Sequence, residues 1–256
     1  MNNNILSAHN LSIGYIDKNG ISTTVLRSFS LDIQQNEMVL ILGASGTGKS
    51  SLLRCLAGLQ EPFSGSLKTS NTTQTAFVFQ SPTLLPWLTV AENVAFGLNF
   101  KQRKQDKQLN IQDILNKVGL GDWGHKKPAE LSGGMASRVA LARAYARCPD
   151  LIFLDEPFAA LDAFTKNSMQ NLLKRLVTTH HTACIMVTHD IDEALHLADR
   201  ILLLGQGRLI DEWQLNEHFI RKNNDIGYQS IRSEILNALS QAQENTQQIN
   251  TVDFVI

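Results

Sequence analysis

The chain has 256 residues, 43% of them hydrophobic, which is enough to bury the core of one large domain or of a domain with a subdomain. Its formal net charge of −1 gives no general electrostatic reason to expect nucleic-acid binding. The three cysteines show no metal-ligand spacing, which is typical of a chain from a reducing compartment. The sequence shows no signal-peptide pattern and no apolar run long enough to span a bilayer, so we expect a soluble chain. Any membrane role would have to come through a partner.

The first half of the chain predicts antiparallel strands followed by alternating strands and helices. Residues 5–35 alternate apolar and polar around a turn at 18–20, as antiparallel strands do. Apolar runs then predict a buried strand at 37–43, an amphipathic helix at 51–59 and a strand at 76–80. Thr89 and Glu92 form a capping-box pattern that opens a helix, and helical, charged sequence continues to about Gly121.

The second half continues the alternation and predicts a parallel sheet covered on both faces. Its expected elements are a helix from about 132, a strand at 151–157, a helix near 162–178, a strand at 183–190, a helix from about 192 and a hairpin at 200–213. The composition then becomes polar, and residues 229–243 predict one helix. The basic run at 101–108 predicts a solvated surface rather than a site for lipid or nucleic acid.

The stretch GASGTGKS at 43–50 matches the phosphate-loop pattern and lies between a predicted strand and a predicted helix. Its backbone amides would cradle the α- and β-phosphates of ATP, Lys49 would reach the β- and γ-phosphates, and the Ser50 hydroxyl would bind Mg²⁺. A structural glycine-rich turn is the alternative. The expected nucleotide-binding residues here are Gly43, Ala44, Ser45, Gly46, Thr47, Gly48, Lys49, Ser50 and Ser51.

Polar residues at the ends of the predicted strands supply candidates for the chemistry. Asp155 and Glu156 follow a wholly apolar strand, where Asp155 would hold Mg²⁺ and Glu156 would activate the attacking water. His189 would contact the γ-phosphate, and Gln80 would contact the metal or the water, if their strands share one sheet. The alternatives are a solvated acidic turn and a structural histidine.

A second glycine-rich helix start lies at LSGGMASRVALARA, residues 131–144. Met135, Val139, Ala142 and Ala146 recur at helical spacing and predict an amphipathic helix that docks on another element. Ser132, Gly133 and Gly134 leave its N-terminus open to an anion. Because the first phosphate loop already holds one ATP, we expect this helix start to contact the ATP of a second copy in a two-fold dimer. A plain glycine-rich helix start is the alternative.

These motifs, in this order and with AALD at 159–162, resemble the ATP-binding subunit of an ABC transporter over about residues 5–213. The resemblance implies an α/β fold: a P-loop NTPase (RecA-like) core with an N-terminal antiparallel β subdomain and an inserted helical subdomain at about 81–148. Residues 1–213 would form the ATPase domain and residues 214–256 a helical extension. It further implies that Tyr15 stacks on adenine, with a half-buried strand tyrosine as the alternative, and that Ser132, Gly133 and Gly134 meet the partner's γ-phosphate. Asp162 would lie in the loop that couples the two sites.

Three stretches, FQSPTLLPWLTVAENVAFGL, LDEPFAALDAFT and THDIDEALHLADRILLL, carry a closer resemblance. They resemble the importers of nitrate, aliphatic sulfonates and taurine, with importers of thiamine precursors as further relatives. It implies an extracytoplasmic binding protein, two permease subunits and two copies of this chain at the cytoplasmic face of the inner membrane. LLPWL at 84–88 would receive a short permease helix, with local core packing as the alternative. Met135, Ala136, Ser137 and Ser51 depart from the commonest family residues, but none removes a phosphate contact, so we expect an active ATPase.

Two other functions are compatible with a phosphate loop. A soluble ABC ATPase acting on nucleic acid or ribosomes would usually carry a coiled-coil insertion, zinc motifs or paired ATPase units, and the sequence shows none of these. A small-molecule kinase would not explain the second glycine-rich helix start. The sequence therefore favours a transport ATPase with no nucleic-acid partner.

Overall fold

The computed structural model describes residues 4–18, 20–70, 72–98, 110–215 and 225–252. The strands are β1 (Asn4–Ile16), β2 (Ser22–Gln34), β3 (Met38–Gly43), β4 (Ser64–Thr69), β5 (Thr75–Val78), β6 (Leu151–Asp155), β7 (Ala183–Val187), β8 (Arg200–Gly205) and β9 (Arg208–Gln214). The helices are α1 (Lys49–Leu56), α2 (Val90–Leu98), α3 (Ile111–Lys117), α4 (Gly133–Ala146), α5 (Ala163–His180), α6 (Ile191–Leu197) and α7 (Ile226–Val252).

The chain divides into two compact units. The first unit comprises Met1–Asn71 and Ile185–Ile256, and the second comprises Thr72–Cys184, so that the boundary falls within β7. Among the described residues, no helix has both the length and the apolar character needed to cross a membrane.

In the first unit, β1 is the centre of an antiparallel sheet with the order β2-β1-β4. Ala8 of β1 lies opposite Leu31 on one side and Leu67 on the other. Leu6 and Ala8, and Leu11 and Ile13 beyond a register shift that follows Ala8, are fully buried, and each pair has the spacing of two that is expected of a strand. The antiparallel strands expected at 5–35 are confirmed, whereas β4 was not predicted because its sequence, SGSLKT, is polar and short.

The first unit also contains a parallel pair. All six residues of β3 are buried, and β3 pairs in parallel with β8, which turns back antiparallel into β9. The near-continuous apolar sequence of β3 and β8 fits strands that are covered on both faces. The last helix, α7, packs on α6 and β8 and confirms the helix expected at 229–243.

In the second unit, β5 pairs in parallel with β6, and Val78 lies opposite Leu154. Helix α2 packs on α4 at Gly97, where a Cβ would collide with the backbone carbonyl of Arg143. Because a larger residue cannot fit there, the two helices approach more closely than ordinary side chains would allow. The parallel pairs of both units, the antiparallel sheet and the helices confirm the mixed α/β class.

Three strands end earlier than the sequence predicts. The expected strands at 76–80, 151–157 and 183–190 end at Val78, Asp155 and Val187. After β7 the chain turns because the Thr188 hydroxyl accepts a hydrogen bond from the backbone N–H of Asp190, 3.1 Å away. The candidate residues Gln80, Glu156 and His189 therefore lie in turns beyond the strands rather than within them.

Candidate functional site

In the first unit, the loop at 43–50 carries β3 into α1. Gly46 and Gly48 have φ angles of +82° and +92°, a left-handed conformation that favours glycine. Gly48 is the N-cap of α1, makes no side-chain cap bond, and precedes a first turn without an acidic residue. The amides at this helix start therefore meet no competing carboxylate in their own first turn, which suits a phosphate group.

The side chain of Lys49 returns to the same loop. It is only 7% exposed, and its Nζ donates to the carbonyl oxygens of Gly43 and Ala44 at 2.7 and 2.8 Å. The Thr47 hydroxyl also donates to the Ala44 carbonyl, at 2.8 Å. These bonds hold the ammonium group inside the loop, where it adds positive charge to the helix start. Ser50 and Ser51 are half-buried in the first turn of α1, and Ser45 is exposed.

A contact that the sequence analysis missed supports this loop. A Cβ added to Gly48 would lie 2.5 Å from the Cγ1 of Val25, which belongs to β2. The antiparallel sheet therefore packs directly against the phosphate-loop glycine. No local pattern could have indicated the contact, because the two residues are far apart in the sequence and Val25 reads as an ordinary strand residue.

His189 lies at the same edge of the first unit as this loop. The backbone N–H of Thr188 donates to the carbonyl of Ile41 at 3.2 Å, which aligns the end of β7 with the end of β3. His189 itself is exposed, and the next residue, Asp190, caps α6 by accepting from the N–H of Glu193 at 3.1 Å. The imidazole is thus carried on a short turn between a buried strand and a capped helix.

Tyr15 is 57% exposed on β1, opposite Thr23, so its ring is more open than a half-buried strand tyrosine would be. The Gln60 side chain donates to the neighbouring Gly14 carbonyl at 2.6 Å and ties this part of β1 to the segment after α1. The exposed ring is compatible with stacking on a base, which stays a prediction.

In the second unit, the ends of β5 and β6 bring two candidate residues to one edge. Because Val78 pairs with Leu154, Gln80 and Glu156 each lie two residues beyond the last aligned pair. Asp155 is 2% exposed at the end of β6. Glu156 has a φ of +46°, a left-handed conformation that costs a non-glycine residue on the order of 1–3 kcal/mol. Such strained residues concentrate at functional sites.

The second glycine-rich helix start is the N-terminus of α4. Ser132 is its N-cap and accepts from the backbone N–H of Met135 at 3.2 Å, and the first turn has no acidic residue. A Cβ on Gly133 would meet nothing within 4 Å, whereas one on Gly134 would lie 3.2 Å from the Ala160 carbonyl. The start of α4 is therefore open at Gly133 and closed at Gly134 by the turn before α5.

The same turn brings Asp162 close to α4. Asp162 is the N-cap of α5 and accepts from the N–H of Thr165 at 3.0 Å, and hydrogen bonds from Thr165 lower the pKa of its carboxyl. Burial lowers the pKa of the Arg138 guanidinium on α4, and the nearby charge of Asp162 opposes that shift. The second unit thus places Asp162 beside the helix that carries Ser132.

The expectation that α4 is amphipathic is wrong, whereas the expectation that it docks on other elements is confirmed. Its second half is buried nearly all round, including Val139, Ala140, Leu141 and Ala142. The helix packs on α2, α3 and β5, and its many alanines leave room for neighbours on several sides. Hydrophobic spacing underestimated the burial because small residues count weakly as an apolar face.

The segment 82–89, which contains the LLPWL stretch, is held by side chains from three places in the second unit. Arg143 Nη1 donates to the Thr83 carbonyl at 3.1 Å, and Lys127 Nζ donates to the Trp87 carbonyl at 2.8 Å. Asn93 is fully buried and bonds the backbone of Leu85 in both directions, with further bonds to Leu88 and Thr89. Trp87 is nevertheless 69% exposed, so this fixed segment presents an aromatic side chain to its surroundings.

The basic run at 101–108 lies outside the described residues, and its predicted role as a solvated surface is untested. The sequence-predicted residues therefore fall into two groups. The first unit holds Tyr15, the loop at 43–51 and His189, and the second holds Gln80, Asp155, Glu156, Asp162 and the start of α4.

Comparison with known proteins gives consistent matches. The family model described as ABC transporter matches residues 26–159. The Aliphatic sulfonates import ATP-binding protein SsuB of Granulibacter bethesdensis is 45% identical over 218 residues, covering 85% of this chain and 89% of the relative. An SsuB 3 protein of Nocardia farcinica is 45% identical over 215 residues, covering 84% and 85%.

Solved structures agree with these relatives. A dimeric ATP-binding cassette in a post-hydrolysis state, bound to ADP and Pi, has a TM-score of 0.75 and 32% identity, covering 82% of this chain and 99% of that one. A dimeric bacterial ABC transporter cassette has a TM-score of 0.74 at the same identity and coverage.

Proposed function

The chain belongs to the ABC transporter family of ATP-binding subunits, and on that premise we propose that it hydrolyses ATP to drive import of a small organic anion through a partner permease. Family membership confirms the resemblance drawn from the sequence motifs. The observation that carries the proposal is the presence of two glycine-rich helix starts, at α1 and α4, in a chain so similar to import ATPases.

The first helix start binds the chain's own ATP. The left-handed glycines Gly46 and Gly48 shape the loop, and Lys49 places its ammonium group against the phosphates. Tyr15 offers an exposed ring to the adenine. The remaining contacts come from the loop residues Gly43, Ala44, Ser45, Thr47, Ser50 and Ser51.

Hydrolysis requires a water molecule that is held and deprotonated. Glu156, in its left-handed turn, is the general base, and His189 contacts the γ-phosphate. Gln80, at the same sheet edge as Glu156, orients the water or the metal.

The donor chemistry fits Mg²⁺, which prefers hard oxygen ligands and keeps waters and substrate phosphates in its coordination shell. Ser50 supplies a hydroxyl in the first turn of α1, Asp155 a buried carboxylate at the end of β6, and Gln80 an amide oxygen. When bound, the ion would neutralise charge on the phosphates.

The second helix start binds the ATP of another copy of the chain. Gly133 has open space where a Cβ would be, and the α4 amides face no acidic residue in the first turn. Two copies would each complete the other's site, with Asp162 beside the contact. ATP would then hold the dimer together and its hydrolysis would release it.

The 82–89 segment is the permease contact. Asn93, Arg143 and Lys127 fix its backbone, so the exposed Trp87 is presented without a large ordering cost on binding. With this contact, the chain would be a peripheral subunit at the cytoplasmic face of a membrane. The substrate class is an alkanesulfonate, as the names of the relatives indicate for those proteins, and an extracytoplasmic binding protein would deliver it.

The first test is sedimentation of the purified chain carrying Glu156→Gln, with and without ATP. We expect ATP to convert monomer to dimer, and Ser132→Arg in the same background to prevent the conversion. Ser168→Arg, the same change at an exposed serine of α5, is the matched control and should dimerise normally. A dimer that survives Ser132→Arg would refute the role of α4.

The substrate is tested by uptake in cells that lack this chain and are complemented with it. We expect complementation to restore uptake of a labelled alkanesulfonate, and Glu156→Gln to abolish it. Restored uptake of nitrate, with no restored uptake of any alkanesulfonate, would replace the substrate class. ATPase activity stimulated by nucleic acid, without any restored uptake, would contradict the transport function.

A further inference from the structure

We propose that α7 is a positioning element for His189, acting through Asp192, Tyr228 and Arg232. The inference rests on the proposed role of His189 in ATP hydrolysis and assigns a function to the C-terminal helix. All of the residues involved lie in the first unit.

Hydrogen bonds hold the turn that carries His189 on both of its sides. On one side, the N–H of Thr188 bonds the Ile41 carbonyl at 3.2 Å, which fixes the end of β7. On the other side, Asp190 caps α6 by accepting from the N–H of Glu193 at 3.1 Å. The orientation of the His189 backbone is therefore coupled to the orientation of the first turn of α6.

Helix α7 holds that first turn. Asp192 is three residues beyond His189, and its Oδ1 accepts from the Tyr228 hydroxyl at 2.9 Å and from Arg232 Nε at 2.8 Å. Arg232 Nη2 also donates to Oδ2 at 3.3 Å. Tyr228 and Arg232 are four residues apart and so lie on one face of α7, which meets α6 there.

The titration behaviour of these groups is consistent with a specific contact. The hydrogen bond from Arg232 lowers the pKa of the Asp192 carboxyl, and burial raises the pKa of the Tyr228 hydroxyl. Asp192 is therefore an anion, and Tyr228 a neutral donor, over the whole physiological pH range.

Helix α7 is itself anchored to the sheet, so it can transmit this restraint. Tyr228 is 2% exposed and Ile235 is fully buried, which a solvated extension would not require. Ala242 packs closely against Gly205, the last residue of β8: a Cβ added to Gly205 would lie 3.1 Å from the Cβ of Ala242. Asp225 accepts from the N–H groups of Gly227 and Tyr228 and fixes the start of the helix. Helix α7 thus connects α6 to the buried strand β8.

The test uses Tyr228→Phe in the full chain, because it removes one hydroxyl and leaves the buried ring in place. The matched control is Ser230→Ala, which removes a hydroxyl that bonds the Glu234 carboxylate at 3.3 Å within α7 itself. We expect Tyr228→Phe to lower kcat for ATP hydrolysis by about three- to tenfold with KM for ATP unchanged, as the loss of one such bond permits. Ser230→Ala should leave both constants unchanged.

Two further measurements separate positioning from general destabilisation. In a His189→Ala background, Tyr228→Phe should cause no further loss of rate, because its route of action has been removed. In side-chain NMR of labelled histidines, assigned with His189→Gln, the His189 signals should move in Tyr228→Phe and stay in place in Ser230→Ala. Unmoved His189 signals, or the same loss of rate in both backgrounds, would overturn the proposal.

The outcomes also separate this inference from the proposed function. A wild-type chain that did not hydrolyse ATP would contradict the function itself. A His189→Ala variant with the full wild-type rate would remove the role of His189 and with it the positioning role of α7. A loss of rate in His189→Ala with no loss in Tyr228→Phe would refute the role of α7 alone.

Discussion

The two glycine-rich helix starts use glycine for different physical reasons. At α1, Gly46 and Gly48 adopt left-handed angles of +82° and +92°, and Gly48 packs against Val25. At α4, Gly133 and Gly134 are the first residues of the helix itself, and Gly133 has empty space around its missing Cβ. Glycine is therefore a requirement of the chain's own fold at α1, whereas at Gly133 it leaves room for something outside the chain.

The caps differ in the same sense. The start of α1 has no side-chain cap, and its charge is supplied by Lys49, which is folded into the loop. The start of α4 is capped by the Ser132 hydroxyl and has no lysine in its first turn. The start of α1 therefore has the groups to bind a phosphate by itself, whereas the start of α4 is an open helix end that can only complete a site formed by other residues.

The largest expected effect comes from removing the proposed base while both helix starts stay intact. Glu156→Gln should lower ATP turnover by about 10²–10⁴-fold, the usual contribution of general base catalysis, and leave ATP binding unchanged. The rate of phosphate release and the affinity for a fluorescent ATP analogue would check this. Turnover near the wild-type rate would show that Glu156 is not the general base, and His189 would be the next candidate.

The next effect separates the two helix starts by ligand. In the Glu156→Gln background, Lys49→Ala should weaken ATP binding to the monomer by about tenfold or more, because charge-assisted hydrogen bonds are worth about 1.5–3 kcal/mol. Ser132→Arg should leave monomer binding within about threefold and remove the dimer. Calorimetric titration of dilute protein measures the first property and sedimentation the second. Equal loss of ATP binding in both variants would contradict the assignment of α1 to the chain's own ATP and of α4 to the ATP of the second copy.

The sequence could predict these elements because their information is local. Continuous apolar runs indicated β3 and β6. The capping box at Thr89 is present, with the Glu92 carboxylate accepting from the Thr89 N–H at 2.6 Å. The missed strand β4 is polar, so only its backbone pairing with β1 defines it.

What the sequence could not indicate were contacts between residues distant in the chain. Val25 against Gly48, Arg138 near Asp162, and Tyr228 on Asp192 each join segments that no local pattern relates. The burial of α4 was underestimated for a similar reason, since it depends on the neighbours that surround its alanines. The sequence could therefore predict which residues are candidates for the site, but not the long-range contacts that hold them in place.

The glycines themselves give a smaller effect that tests the comparison directly. Gly48→Ala should lower the free energy of unfolding by about 1–3 kcal/mol, because alanine is strained at a φ of +92° and its Cβ would lie 2.5 Å from Val25 Cγ1. Gly133→Ala should be neutral or stabilising by up to about 1 kcal/mol, because the position is helical and open. Urea denaturation of the two variants measures both. Similar destabilisation in each would show that Gly133 also serves the chain's own fold.

The smallest expected effect concerns Ser132, whose hydroxyl has two tasks. As a cap it accepts from the Met135 N–H, and a hydroxyl that accepts one hydrogen bond can still donate its own proton to a phosphate oxygen. Ser132→Gly should cost only a few tenths of a kcal/mol in stability, because glycine is itself a tolerated N-cap. In the Glu156→Gln background, the ATP-dependent dimer should nevertheless dissociate about tenfold more readily, because a donor to the partner's phosphate is lost. Unchanged dimer affinity would restrict the hydroxyl to capping and leave phosphate binding to the α4 amides alone.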